Sequence, residues 1–195
     1  VREEAKSILQ ILDSPNLKIP DNWNIKFEDP NFDKEFKQTT VQNKYSEKAQ
    51  KYMDKYVIIF SGLFGMLTPT TPIPDYKLKM NVLSLQHHWN PILTNALKDE
   101  PLIIDLLPQV HRKAYQPNKK NVIPVDFLIK NKGKKSAAGH FGKAVKGEFI
   151  RYMSENNITA ITEFAGFEFD GFKWDGDAFV KEESLTRIKG INAFP

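Results

Sequence analysis

Three short apolar runs constrain this chain most. Val57-Ile58-Ile59-Phe60, the run 101–107 with Leu102, Ile103, Ile104, Leu106 and Leu107, and the run 122–129 are too short and too β-branched for helices. Each predicts a buried strand. Stretches of helical period lie between them. Ser46 is placed to cap a helix with Ala49, Tyr52, Met53 and Tyr56 on one face, leading straight into the first run. Ser84 is placed to cap a second, whose Leu85, His88, Trp89, Ile92, Leu93 and Ala96 keep the i, i+3, i+4 spacing. A third covers 143–156, with Val145, Phe149, Tyr152 and Met153 as its stripe. Phe164, Phe167, Phe169, Phe172, Trp174 and Phe179 then read as aromatic strands around Asp170-Gly171 and Asp175-Gly176, and Lys130-Asn131-Lys132-Gly133-Lys134 has the composition of a hairpin turn. Helices and strands interleaved in this way predict a mixed α/β (α+β) layer system. A length of 195 residues suits one domain, 1–195.

The stretch before the first strand is less regular. Ala5, Ile8, Leu9 and Leu12 predict a short amphipathic helix that Ser14-Pro15 ends, and the residues up to Asn43 read as an irregular covering layer. With 41% hydrophobic and 12% aromatic residues, a folded core is expected. There is no uninterrupted apolar run of membrane-spanning length and no charged start followed by an apolar stretch, so a soluble, cytoplasmic protein without a membrane partner is expected. The absence of cysteine excludes disulfides and thiolate-held metals. The four histidines are not clustered, so neither a metal site nor a cofactor is expected. His87 and His88 are adjacent and point about 100° apart on a helix, and His88 falls on the apolar stripe as a packed residue.

The net charge of +4 is modest, but it is unevenly placed. Arg112, Lys113, Lys119, Lys120, Lys130, Lys132, Lys134, Lys135, Lys143 and Lys146 face a single acid, Asp126, over the same stretch. That local basic surface is what a polyanion would meet. Three segments are candidates to line it. Ser61-Gly62-Leu63-Phe64-Gly65 follows a strand, where glycines let backbone N–H groups approach a phosphate or base; a turn that merely packs fits equally well. After the rigid loop of Pro69, Pro72 and Pro74, Tyr76 offers a stacking ring and Lys77 and Lys79 two ammoniums, although solvated surface lysines are the commoner case. In Gly139-His140-Phe141-Gly142-Lys143-Ala144-Val145-Lys146-Gly147, a helix starting near Lys143 puts Lys143, Lys146, Gly147 and Ile150 on the side opposite Val145 and Phe149. Free N–H groups at that helix start would favour phosphate; an entry turn with a solvated face is the plain alternative. Asp105, at the end of an apolar strand, is the one carboxylate placed as catalytic ones often are, and it serves equally well as a cap. No assembled catalytic signature accompanies it.

Together these segments resemble the YaaA family of bacterial peroxide-stress proteins. Val57 to Leu67 is similar to the family's strand and S-G-L-Y-G-x-L-R-P stretch, and Ile73-Pro74-Asp75-Tyr76-Lys77-Leu78-Lys79-Met80 to its Q-P-Y-R-L-E-M. Trp89 matches the Trp of F-W-G-D, Ile103 to Leu106 the strand ending V-I-N-L, and Ile123-Pro124-Val125-Asp126-Phe127 the P-V-F strand. Phe141-Gly142-Lys143-Ala144-Val145-Lys146-Gly147 is similar to Y-A-K-K-A-R-G, and Glu168 to Val180 fits G-Y-x-F-D with a final strand. The resembling core is 56–181, and 1–43 matches poorly. Four departures stand out. No S-P-A-K strand precedes Val57, Lys77 and Lys146 replace Arg, Thr68 replaces an Arg, and the nearest look-alike of the family's helix-hairpin-helix, Leu185 to Asn192, has Asn192 in place of its second Gly.

The resemblance implies one domain with a twisted mixed sheet flanked by helices, a basic cleft that binds double-stranded DNA, and a role in the oxidative (peroxide) stress response and iron homeostasis that limits damage linked to intracellular iron. The expected nucleic-acid-binding residues are Ser61, Gly62, Gly65, Tyr76, Lys77, Lys79, Lys134, Lys135, His140, Lys143, Lys146 and Gly147. The alternative is an enzyme acting on a nucleobase or nucleotide bound in the same cleft.

Overall fold

The computed structural model describes residues 45–71, 78–139 and 141–182. The expectations for the amino-terminal helix and covering layer, for the loop 72–77 and for the segment 185–192 lie outside the described residues. The described residues fall into two compact units, one of those up to 103 with 107–123 and one of 104–106 with those from 124 onward.

In the first unit, helix α1 (Glu47–Tyr56) begins as its sequence predicts: the amide of Ala49 donates to Ser46 Oγ at 3.2 Å, and Ala49, Tyr52 and Met53 are buried. Strands β1 (Ile59–Ser61) and β2 (Gly65–Leu67) pair antiparallel, with Ser61 opposite Gly65. The loop between them drives Leu63 and Phe64 into the core. The first strand is not the buried run expected over 57–60, because Ile58 and Ile59 are 40% and 46% exposed. Only the end of this strand is covered: Phe60 is half-buried, edge-on to Tyr115 at 5.3 Å, and Ser61 is buried, while Ile58 and Ile59 before them stay open.

Helix α2 (Leu85–Leu97) buries Leu85, Trp89 and Leu93, but Ser84 does not cap it with its hydroxyl. Leu83 and Ser84 both have positive φ, and Ser84 instead lends its carbonyl to the amides of His87 and His88. The core of this unit is Leu63, Phe64, Leu67, Leu78, Met80, Leu85, Trp89, Leu93, Ala114 and Tyr115. Strand β3 (Ile103–Asp105), the short helix α3 (Gln109–Arg112) and strand β4 (Val122–Pro124) follow, with β3 and β4 forming a second two-stranded sheet.

The run 122–129 is two strands rather than one. The break falls where the chain changes partners: the amide of Val125 donates to the Asp105 carbonyl at 2.9 Å, and the next carbonyl, of Asp126, accepts from Phe179 at 2.9 Å. Strands β5 (Phe127–Asn131), β6 (Lys134–Ala137), β7 (Glu168–Phe169), β8 (Phe172–Trp174) and β9 (Phe179–Glu182) form a sheet in the order β6-β5-β9-β8-β7. Only β5 and β9 run parallel, so the sheet is mixed and the α/β class expected from the sequence is observed. The β5–β6 turn is the predicted hairpin, with positive φ at both Lys132 and Gly133 as a primed turn requires. Helix α4 (Phe141–Asn156) lays Phe149 against Phe127 and Phe179, with ring centroids 6.0 and 4.8 Å apart. The short 3-10 helix Ile161–Gly166 adds Phe164 to the same cluster. Each such ring stabilises the unit by roughly 1.5–3 kcal/mol through burial.

Candidate nucleic-acid interface

Ser61, Gly62, Gly65 and Lys79 belong to the first unit, and the first three take part in its packing. Ser61 is buried and its Oγ accepts the Phe64 amide at 2.9 Å, while the Gly62 carbonyl accepts Trp89 Nε1 at 2.9 Å. A Cβ on Gly62 would stand 2.6 Å from the Leu78 carbonyl oxygen, and one on Gly65, at φ +72°, would run into the Trp89 ring. Both glycines therefore let one segment approach another within the fold. Lys79 is exposed beside Gly62. Tyr76, Lys77 and His140 lie outside the described residues.

The second unit holds the remaining candidates, and it sorts its lysines into two groups. Lys130 pairs with Glu182 at 2.7 Å, Lys135 with Asp175 at 2.6 Å, Lys173 with Glu168 at 3.3 Å and Lys181 with Asp170 at 2.6 Å. Lys135 and, after it, the amides of Ala178 and Asp177 hold the Asp175 carboxyl down at about 2. The hydrogen bond from Lys130 likewise lowers Glu182, and Glu182 raises Lys130. Lys132, Lys134 and Lys143 are exposed and make no ion pair among the described residues.

Lys146 differs from its expected position on an open basic face. It is half-buried, and its Nζ donates to the Leu106 carbonyl at 2.6 Å, because α4 turns that side chain back toward the end of β3. Gly147 is exposed, with nothing within 4 Å of a would-be Cβ. It lies one turn beyond Lys143 on the same side of α4. Sequence reasoning passed over Phe141, which opens α4 and is 42% exposed. Its place four residues before Val145 reads as core by helical period; the glycines on either side of His140-Phe141 were the available signal.

Among the described residues no group of three or more His, Asp or Glu could hold a metal ion, and no helix is long and apolar enough to cross a membrane. Asp105 is buried, and burial pushes His111 in the first unit below its ordinary value.

The motifs that build both units have counterparts elsewhere. The family model described as peroxide stress protein YaaA matches residues 36–178. The chain belongs to the YaaA family. Among its relatives, a UPF0246 protein of Flavobacterium johnsoniae is 30% identical over 144 residues, 67% of this chain and 57% of the relative. One from Lactobacillus acidophilus is 29% identical over 139 residues, 64% of this chain and 55% of the relative. One from Streptococcus gordonii is 23% identical over 154 residues, 75% of this chain and 63% of the relative. The matches thus span little more than half the length of these YaaA-family relatives. Membership carries a place among peroxide stress proteins.

Proposed function

We propose that this YaaA-family chain binds DNA in the bacterial cytoplasm, gripping duplex phosphates, as part of a peroxide response that limits damage linked to intracellular iron. The observation that carries the reading is the trio Lys132, Lys134 and Lys143, exposed on one unit and free of ion pairs among the described residues, while neighbouring lysines are neutralised. A lysine held by a carboxylate gives little to a phosphate; an unpaired one releases a counterion on contact. With about three such contacts, log K should fall against log salt with a slope of about −3.

Lys134→Ala combined with Lys143→Ala should reduce that slope by about 2 and weaken duplex binding at every sequence tested alike. Fluorescence anisotropy on a labelled duplex across a salt series measures both. An unchanged slope in the double variant, or no binding by the wild type at low salt, sinks the reading.

A further inference from the structure

Phe141 is large, apolar and 42% exposed at the first position of α4. Its ring lies nearly parallel to that of Phe172, which is fully buried, with an interplanar angle of 21° and centroids 6.0 Å apart. The Lys181 ammonium stands 5.3 Å from the Phe141 centroid and 5.9 Å from that of Phe172. The ammonium therefore lies over both rings and not across Phe141 from Phe172, where its distance to Phe172 would be nearly double, and part of the Phe141 ring stays open to solvent beside it. Asp170 holds Lys181 at 2.6 Å, which fixes the ammonium in that place. Gly139, two residues earlier and at φ +56°, has nothing within 4 Å of a would-be Cβ.

An exposed aromatic ring beside a second, nearly parallel ring and a cation is an arrangement on which an unpaired base can stack. Duplex phosphates have no use for it, because bases in a duplex already stack on one another. We propose that Phe141 is a stacking platform for one unpaired base, with Lys181 over the same pair of rings as its cation. This rests on the nucleic-acid reading above and adds to it a preference for single-stranded or locally opened DNA at this end of α4.

The test uses the full protein and three labelled probes of about a dozen nucleotides: a single strand, the same strand with abasic sites, and a blunt duplex. Wild type should bind the single strand more tightly than its abasic counterpart. Phe141→Ala should weaken single-strand binding by roughly 5- to 150-fold, the weight of one base stacked on an aromatic ring, and leave the abasic and duplex probes unchanged. Phe141→Tyr should keep the preference. Phe141→Leu, which retains apolar packing on Phe172, should melt like the wild type yet bind like the alanine variant, separating stacking from folding. If the alanine and leucine variants bind the single strand as the wild type does, or weaken all three probes equally, the platform is refuted while nucleic-acid binding stands. If the wild type binds none of the probes at low salt, both fall.

Discussion

Gly65→Ala tests whether the loop after β1 is built for packing. Gly65 has φ +72°, and an added Cβ would land on Cζ3 of Trp89 and 2.7 and 2.8 Å from its Cε3 and Cη2. The left-handed backbone alone disfavours alanine by about 1–2 kcal/mol. The collision adds about 1–3 kcal/mol, since the Trp89 ring is 2% exposed and anchored by its hydrogen bond to the Gly62 carbonyl, and cannot swing clear. A total of about 2–5 kcal/mol should move the urea midpoint down by roughly 1–2 M at the slopes usual for small domains. The clash can be isolated with a second substitution, because Trp89→Phe removes the fused ring that Gly65 abuts. In that background Gly65→Ala should retain only its backbone penalty, giving a coupling of about 1 kcal/mol or more between the two positions. The assay is urea unfolding followed by circular dichroism for wild type, both single variants and the double. Equal destabilisation by Gly65→Ala in both backgrounds would refute the packing argument. The same material serves for DNA binding: if the loop only packs, the folded fraction of Gly65→Ala binds duplex as the wild type does.

Asp175→Asn keeps the acceptor for the Ala178 and Asp177 amides but removes the charge facing Lys135. The folded carboxyl titrates at about 2 against an ordinary 3.8, so its stabilisation is complete above about pH 4 and is lost as the pH falls toward 2. With both side chains about one third or more exposed, solvent screening limits the effect to about 1 kcal/mol or less. The stability gap between wild type and variant should therefore be open at pH 7 and closed near pH 2 by urea titration; a gap that does not depend on pH contradicts the assignment. Gly147→Ala should raise the melting temperature, since an interior helical glycine with open space around it loses roughly 0.5–1 kcal/mol relative to alanine. It should also weaken duplex binding if a phosphate backbone approaches α4 at the Lys143–Gly147 turn. A variant that gains stability and keeps full affinity would show that nothing approaches there.

What the sequence made legible follows from how local each determinant is. Ser46 capping α1, the positive-φ pair Lys132-Gly133, and Asp170-Gly171 between β7 and β8 are each decided within a few residues, and all three are found where the sequence places them. The division of 122–129 was not legible, because it is decided at Val125 and Asp126 by Asp105 and Phe179, which lie 20 and 53 positions away. The start of α2 escaped for a related reason. Helical period identifies the middle of the side that faces the core, with Leu85, Trp89 and Leu93 buried as expected while Ile92 and Ala96 of the same stripe are exposed, but it does not set the path by which the chain enters. Two consecutive residues of positive φ, neither of them glycine or asparagine, carry no local signature.

Charge shows the same limit with a functional consequence. Counted along the chain, the stretch from Arg112 to Lys146 is strongly basic, yet the acids that offset it come from far outside: Glu182 reaches Lys130 across 52 positions, and Asp175 reaches Lys135 across 40. Folding also withdraws Lys146 to a backbone carbonyl. Among its described residues the second unit is left with Lys132, Lys134 and Lys143, whose electrostatic grip on the proposed DNA would be correspondingly small and weakened by salt. A surface of that kind gains most from contacts that salt does not screen. Stacking of a base on the exposed face of Phe141 is one, and close approach to α4 at Gly147 is another. Both positions were hidden from a count of lysines.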